Sequence, residues 1–150
     1  MKILVIADSH GDRARLQEII DREQPFDVLI HCGDGAHDLD RVVLPQNIEV
    51  LSVAGNMDRA GGKRLIEAAL NGVRFLVCHG DRFAVHYDYD RLLDEGLRRG
   101  ADIICCGHTH IPCLLPHPPV LFNPGPADRG LYGIITLGSA QKPLCENRQL

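Results

Sequence analysis

The sequence lacks the features that mark a nucleic-acid-binding or membrane protein. Its formal net charge is −4, so no excess of lysine and arginine attracts nucleic acid or an anionic membrane. No apolar run is long enough to span a bilayer. The first apolar run extends only from Ile3 to Ala7 before Asp8, which is too short for a signal peptide. We therefore expect a cytoplasmic protein without membrane partners and without a strong nucleic-acid signal.

Repeats, linkers and low-complexity tracts are also missing. The 150 residues fit one domain, residues 1–150, which is large enough to bury a core without disulfides or structural metal. The apolar content of 45% and the charged content of 24% are ordinary for a globular chain. Both a monomer and a homo-oligomer are compatible with these features.

The six cysteines do not indicate a disulfide framework, because the chain shows no secretion signal. Cys32, Cys78, Cys105 and Cys106 each end an apolar run, where a free cysteine behaves as a small hydrophobic residue. The other two are isolated. We expect reduced thiols.

The apolar pattern predicts alternating strands and helices, which is typical of an α/β chain with parallel strands. Helices are predicted over residues 12–23 and 87–100, the second in spite of Gly96 in its interior. The predicted strands cover residues 2–7, 27–32, 48–54, 73–78, 102–106, 120–122 and 131–138.

Three segments have less regular patterns. Residues 65–70 would suit a short helix, but the following Asn71-Gly72 favours a two-residue hairpin turn and therefore a strand. The proline-rich residues 112–120 are predicted to form a loop. The last ten residues, 141–150, fit either a strand or a frayed tail.

Polar side chains follow five of the predicted strands at the point where each strand ends. Because the carboxyl ends of parallel strands face one crevice, we expect these side chains to converge on a shared site. They are Asp8 and His10, Asp34, Asn56, His79, and His108 with His110.

The stretch "DIICCGHTHIP" places two cysteines next to two histidines. Cys105 and Cys106 alternate across a buried strand, so they cannot both point into one pocket. His108 and His110 follow Gly107 on a loop, where they are candidate ligands. A set of carboxylate, imidazole and amide groups without thiolate suits Mn²⁺, Fe²⁺, Zn²⁺ or Mg²⁺ better than a cysteine-rich zinc knot.

The ordered set "DSH", "GD", "GNMD", "HG" and "GHTH" resembles the metal-binding motifs of the calcineurin-like metallophosphoesterases, and of their small single-domain phosphodiesterase branch in particular. The resemblance runs from Lys2 to about Leu137, and "NPGP" (Asn123–Pro126) resembles the family's NPGS motif. It implies a four-layer α/β/β/α metallophosphoesterase sandwich with two mixed β-sheets.

The resemblance also implies a dinuclear metal site in which Asp34 bridges the two ions and acts in catalysis together with Asn56. Mn²⁺ is the expected ion, with Fe, Zn, Ni or Mg as alternatives. The implied ligands are Asp8, His10, Asp34 and His110 for one metal, and Asp34, Asn56, His79 and His108 for the other.

The implied activity is hydrolysis of a small phosphate ester, first of all a phosphodiester, by in-line attack of a metal-bridging hydroxide on phosphorus. One alternative is a phosphomonoesterase or nucleotide phosphatase. Another is a non-catalytic protein-interaction scaffold of the same fold, as in the retromer coat. The completeness of the seven ligand positions favours an enzyme over the scaffold.

Three positions depart from the family pattern. Met57 replaces a histidine that is thought to protonate the leaving group, so we expect a preference for good leaving groups. Asp81 replaces a second histidine, and Pro126 replaces a serine whose hydroxyl could contact phosphate. The glycines before Asp34, Asn56 and His108 are expected to allow sharp backbone turns.

Asn123, Arg129 and His37 are candidate substrate contacts, although Arg129 and His37 also suit solvated loop positions. His31 is predicted to be a hydrogen-bonded core histidine. Asp58 fits either a loop-shaping role or an orienting role. His86 and His117 carry no functional pattern.

Overall fold

Two mixed five-stranded sheets form the framework of the computed structural model, which describes residues 1–59, 61–139 and 142–150. Each sheet contains three neighbouring parallel strands, with an antiparallel neighbour on one side of them in the first sheet and on both sides in the second. The elements in chain order are β1 (Lys2–Ile6), α1 (Arg13–Glu23), β2 (Val28–His31), β3 (Glu49–Ser52), β4 (Leu65–Leu70), β5 (Val73–Cys78), α2 (Asp90–Arg99), β6 (Ile103–Cys105), β7 (Cys113–Leu115), β8 (Val120–Asn123), β9 (Leu131–Thr136) and β10 (Leu144–Gln149).

The strand order is β10-β9-β1-β2-β3 in the first sheet and β4-β5-β6-β8-β7 in the second. In the first sheet β1, β2 and β3 run parallel, with Val5 opposite Ile30 and Ile30 opposite Leu51. In the second sheet β5, β6 and β8 run parallel, with Val77 opposite Cys105. Parallel strands buried on both faces explain the continuous apolar runs in the sequence.

The layering follows from three apolar clusters. The first lies between the sheets and includes Val5 of β1 and Val77 of β5. The second packs α1, through Leu16 and its neighbours, on the outer face of the first sheet. The third packs Leu92 of α2 on the outer face of the second sheet. The predicted four-layer α/β/β/α sandwich with two mixed sheets is confirmed.

Both helices have the ends that the sequence indicates. The Asp12 carboxylate accepts the Arg15 N–H and caps α1. Gly100 ends α2 in the left-handed conformation, and its N–H donates to the carbonyls of Gly96 and Leu97. Among the residues that the structure describes, no helix combines the length and the apolar character needed to cross a membrane.

The cysteine prediction and the hairpin prediction are both confirmed. Cys105 faces the cluster between the sheets and Cys106 faces α2, so the two thiols lie on opposite sides of their strand. All six cysteines are free. Asn71-Gly72 joins β4 to β5 as an antiparallel hairpin, with Leu70 opposite Val73.

The prediction of a loop over residues 112–120 is wrong in part, because residues 113–115 form β7 at the edge of the second sheet. Pro112 and Pro116 made the segment look like a loop in the sequence. Proline is tolerated beside an edge strand, however, so the two prolines are compatible with β7. The chain end forms a strand, β10, which pairs with β9. Gln141, which was part of the predicted tail, lies outside the described residues.

Gly133 lies in the middle of β9, where sequence patterns disfavour glycine. A Cβ atom there would lie 2.4 Å from Cε1 of Phe122 and 2.5 Å from its Cζ. Phe122 is fully buried between the sheets, so its ring has little room to move.

We therefore expect Gly133→Ala to lower the free energy of unfolding by about 1–3 kcal/mol through overpacking. Urea denaturation measures this change. Thr136→Ala, an exposed position on the same strand, is the matched control and should cost less than about 1 kcal/mol. A Gly133→Ala protein as stable as the parent would contradict the packing argument.

Candidate metal centre

Parallel strands of both sheets end at one edge of the sandwich, where backbone hydrogen bonds join the loops that follow them. The Asp8 N–H donates to the Gly33 carbonyl at 2.9 Å, and the His10 N–H donates to the Asp34 carbonyl at 3.1 Å. Within the second sheet, the Gly107 N–H donates to the His79 carbonyl at 3.0 Å. The two sheets are joined where the His108 N–H donates to Asp8 Oδ2 at 3.1 Å.

A first cluster of ligand atoms comprises Asp8, His10 and His110. Nε2 of His110 lies 3.3 Å from Asp8 Oδ1 and 3.1 Å from Nε2 of His10. Asp8 is fully buried, and its Oδ1 has no hydrogen-bond partner in the described part of the chain. A buried carboxylate oxygen without a hydrogen-bond donor raises the free energy of the folded protein. A cation bound between these three groups would offset this cost.

A second cluster comprises Asp34, His79 and His108. Nε2 of His79 lies 3.3 Å from Asp34 Oδ2, 3.1 Å from Asn56 Oδ1 and 3.1 Å from His108 Nδ1. Nδ1 of His79 lies 2.8 Å from the Cys32 carbonyl, to which it donates its proton. This bond leaves Nε2 to face the other three groups, which is the usual arrangement of a metal-binding histidine.

Both clusters open into one cleft of about 360 Å³. Oxygen and imidazole nitrogen atoms supply every candidate ligand, so the donor set fits divalent cations such as Mn²⁺ and Zn²⁺. The structure thus places all seven predicted ligands together. The bridging role of Asp34 stays a prediction. The cleft is lined by His10, Asp34, Asn56, Met57, His86, His108, Thr109 and His110.

The pKa values of the acidic and imidazole groups in the two clusters depend on one another. Burial raises the pKa of Asp8, against the opposing effect of His79 and His110. Burial acts in the same direction on Asp34, but hydrogen bonds from His79 and from the Met57 N–H outweigh it and lower the pKa of this carboxyl group. Burial lowers the pKa of His79, yet its bond to Asp34 raises it overall. A cation and a proton therefore compete for Nε2 of His79.

The backbone at the site is in an uncommon conformation. Left-handed φ angles in residues other than glycine cost about 1–3 kcal/mol each and concentrate at functional sites. Five of the seven predicted ligands have such angles: Asp8 (54°), His10 (45°), Asp34 (55°), His108 (71°) and His110 (57°).

The glycines of the motifs serve two different purposes. Gly33 has a φ of 94°, which supports the expected sharp turn before Asp34. Gly55 and Gly107 each begin a tight turn, because the Asp58 N–H donates to the Gly55 carbonyl at 3.3 Å and the Thr109 N–H to the Gly107 carbonyl at 2.9 Å. Their φ angles are not left-handed, and these positions require glycine for close approach. A Cβ on Gly55 would lie 2.0 Å from Asp34 Oδ1, and one on Gly107 would lie 2.8 Å from Asp8 Oδ2.

Asp58 ties two of the motif loops together. Its carboxylate accepts the backbone N–H groups of Asp34 and Gly55, both at 2.8 Å, and those of Gly35 and Ala36 at 3.0 and 3.1 Å. These bonds position the loops that carry Asp34 and Asn56. The sequence left two roles open for Asp58, shaping its own loop or orienting a neighbouring group. Its bond to Gly55 shapes its own loop, and its bond to Asp34 positions a candidate ligand.

The departure at Asp81 has a structural partner, Arg64, which sequence reasoning missed. The Arg64 guanidinium donates to the Asp81 carboxylate and to the Gly55 carbonyl, immediately before Asn56. The pair therefore braces the Asn56 loop from outside the two clusters. Arg64 and Asp81 are 17 residues apart in the chain, and neither residue lies in a sequence pattern that predicts this contact.

The predicted substrate contacts have different surroundings. His37 is exposed and lines a depression beside Asp34 and Met57, with Nδ1 3.2 Å from Asp58 Oδ1. Arg129 is exposed on a 3₁₀ turn and is not among the residues that line the cleft. The prediction for Asn123 does not fit its complete burial. Its amide donates to the Gly107 carbonyl and to Thr109 Oγ1, both at 3.0 Å, so it holds the loop of His108.

His86, which carries no sequence pattern, lies at the cleft. Its ring centroid is 4.2 Å from that of His108. It follows a 3₁₀ turn, Asp81–Phe83, and only the tertiary structure brings it next to the second cluster.

His31 is the core histidine that the sequence predicted. Its Nδ1 accepts the Gly33 N–H at 3.2 Å, so Nε2 donates to Ser9 Oγ at 3.3 Å. Ser9 Oγ in turn donates to Asp38 Oδ2 at 2.7 Å. Complete burial lowers the pKa of His31 to about 4.

This lowered pKa predicts a specific acid sensitivity. The unfolded chain binds a proton at His31 below about pH 6.5, whereas the native protein does so only near pH 4. Neutral His31 therefore makes no demand on the free energy of unfolding above pH 6.5, and this free energy decreases as the pH falls from about 6.5 to about 4. The loss should approach about 3 kcal/mol.

His31→Gln should remove about 2 kcal/mol of the stability decrease between about pH 7 and about pH 4.5, measured by urea denaturation of chelator-treated protein. The exposed His117→Gln variant should keep the full decrease. An identical pH dependence in all three proteins would show that His31 does not titrate as its burial implies.

Comparison with known proteins agrees with this geometry. The calcineurin-like phosphoesterase superfamily domain matches residues 1–136. The chain is 35% identical over 114 residues to the probable metallophosphoesterase YsnB of Bacillus subtilis, covering 74% of this chain and 65% of the relative. It is 33% identical over 129 residues to a probable metallophosphoesterase of Methanocaldococcus jannaschii, covering 83% of this chain and 67% of the relative. The chain thus spans about two thirds of the length of these curated relatives.

Solved structures share the fold. A predicted phosphoesterase of Streptococcus pneumoniae superposes with a TM-score of 0.76 at 22% identity, covering 98% of this chain and 97% of the other. An archaeal phosphodiesterase gives a TM-score of 0.73 at 18% identity over the full length of both chains. Zinc-bound Vps29 of Entamoeba histolytica gives 0.73 at 19% identity and 99% coverage of both chains. With the family match over residues 1–136, these findings show that the chain belongs to the calcineurin-like phosphoesterase superfamily.

Proposed function

We propose that this chain is a dinuclear metal-dependent phosphodiesterase that acts on a small phosphate ester. The observation that carries the proposal is the convergence of two ligand clusters on one open cleft, with the buried Asp8 Oδ1 left without a hydrogen-bond donor. Mn²⁺ is the proposed ion, with Fe, Zn, Ni or Mg as alternatives, and the cytoplasm is the proposed location.

The roles of the side chains follow from their contacts. Bound divalent cations would supply Lewis acidity and a water of lowered pKa for attack on phosphorus. Asp8, His10 and His110 would hold one cation, and Asn56, His79 and His108 the other. Asp34 would bridge them, and its Oδ1 is held in place by the Met57 N–H at 2.8 Å.

Asn56 carries the second catalytic role in this proposal. Its Oδ1 faces His79, and its loop is held on one side by Asp58 and on the other by Arg64. This bracing holds the amide in a fixed position beside His79, which favours catalysis by positioning. His37 is retained as a substrate contact because it lines the depression beside Asp34. The exposed Arg129 is retained only as a proposal.

Two alternatives remain distinct from the proposal. A phosphomonoesterase would use the same ligands. A non-catalytic protein-interaction scaffold would share the same fold. The archaeal phosphodiesterase neighbour supports the diester, and the intact set of seven ligand residues supports an enzyme over a scaffold.

Manganese-loaded protein should hydrolyse bis(p-nitrophenyl) phosphate, and chelation should abolish the activity. Asp34→Ala should lower kcat/KM by about a thousandfold or more, because it removes the group that both cations would share. Asp40→Ala, an exposed carboxylate on the turn that follows, is the matched control and should retain activity.

Metal analysis of the same proteins separates a lost site from a lost fold. Two equivalents of metal in the parent and in the Asp40→Ala protein, with fewer in Asp34→Ala at unchanged secondary structure, are expected. Hydrolysis that survives chelation would refute the metal mechanism. Faster hydrolysis of p-nitrophenyl phosphate than of the diester would favour the phosphomonoesterase.

Met57 generates a second prediction about the chemistry. Its side chain is 70% exposed and lines the cleft beside His10 and Asp34, where it offers no proton to a leaving group. Met57→His should raise the rate on esters with poor alkoxide leaving groups, relative to activated aryl esters, by roughly tenfold or more. Met57→Gln controls for polarity without a titrating group. An unchanged ratio in the histidine variant would count against the missing-acid explanation.

A further inference from the structure

A second cavity adjoins the candidate metal centre on the side of Asn56. Its volume is about 490 Å³, larger than the cleft over the two clusters and within the size range of small-molecule sites. Asn56 lines both spaces, so the two spaces adjoin at this residue. We call it the arginine cavity, because Arg59, Arg64 and Arg82 line it.

The charge of the arginine cavity is unbalanced. Three guanidinium groups line it, against one carboxylate, that of Asp58. That carboxylate already accepts four backbone N–H groups, among them those of Asp34 and Gly55. Its negative charge is therefore committed to the motif loops and is poorly placed to neutralise the arginines.

Two of the three arginines have no fixed ionic partner. Arg64 pairs with Asp81, whereas Arg59 and Arg82 are exposed and lie outside ion-pair distance of every carboxylate in residues 1–59, 61–139 and 142–150. Nε of Arg64 is buried and has no hydrogen-bond partner within the same residues. Donors remain available on all three side chains.

Arginine suits one class of ligand in this position. Its planar group donates two parallel hydrogen bonds to the oxygens of a phosphate, and several such groups around one cavity match a dianion. The net charge of the whole protein is −4, so the positive charge of the arginine cavity is opposite in sign to that of the molecule as a whole.

We infer that the arginine cavity binds a second phosphate group of the substrate, so that the enzyme acts on phosphate esters that carry a further phosphate beyond the scissile one. This inference rests on the proposed phosphoesterase function and adds a substrate class to it. Arg59 and Arg82 are the residues that select for the second phosphate, and Arg64 contributes while it braces the Asn56 loop.

The kinetic test uses two diesters with the same leaving group: thymidine 5′-(p-nitrophenyl phosphate) with and without a phosphate on the 3′-oxygen. We expect kcat/KM to be about tenfold higher for the 3′-phosphorylated ester, mainly through a lower KM. In the double variant Arg59→Gln/Arg82→Gln the ratio of the two kcat/KM values should fall to about one.

The matched control is Arg22→Gln/Arg41→Gln, which removes the same charge from exposed positions on α1 and on the 3₁₀ turn over Ala36–Arg41. It should keep the preference. A ratio near one in the parent protein, or a preference that survives in the Arg59→Gln/Arg82→Gln protein, would overturn the inference.

A binding measurement separates this inference from the proposed hydrolysis. Inorganic pyrophosphate is titrated calorimetrically into chelator-treated protein, so the result does not depend on turnover. Binding that is weakened at least about tenfold in the Arg59→Gln/Arg82→Gln protein, and unchanged in the control, supports the cavity even if neither diester is hydrolysed. Absence of binding, or equal binding by all three proteins, overturns it.

Discussion

The candidate site depends on one unfavourable arrangement: carboxylates and imidazoles buried against one another at the place where two sheets end. Asp8 is removed from water, and its Oδ1 has no hydrogen-bond partner among the described residues, while Nε2 of His79 lies 3.3 Å from Asp34 Oδ2. Left-handed backbone at five candidate ligand positions adds to the free-energy cost. The fold tolerates this cost because the two sheets and their helices form three continuous apolar clusters below the site.

Polar residues that are not candidate ligands keep this arrangement in place. Asp58 gathers the backbone N–H groups of two loops, and Asn123 holds the loop of His108. Arg64 connects Asp81 to the carbonyl before Asn56. Each of these three side chains makes at least one contact to a loop that follows a different strand: Asp58 to Asp34, Asn123 to Gly107 and Arg64 to Asp81. The site is therefore supported as a unit and not ligand by ligand.

Arg64 also links the metal centre to its surroundings. The same guanidinium braces the Asn56 loop and lines the cavity next to it. Asp81 stands where the family usually has a histidine. Its ion pair with Arg64 supports the Asn56 loop. The physical consequence is a positively charged space beside the candidate metal centre, in a protein whose overall charge is negative.

The sequence by itself determined most of the strands, both helices and the candidate ligand set, because these follow from local patterns: apolar runs, a hairpin Asn71-Gly72 and polar groups at strand ends. Tertiary structure alone decided the rest. Strand β7, the burial of Asn123, the position of His86 beside His108 and the contact of Arg64 with Asp81 all depend on which segments meet in space. Local sequence patterns reflect the burial and the backbone hydrogen bonding of a single segment. The contacts named here form only when segments distant along the chain pack against each other.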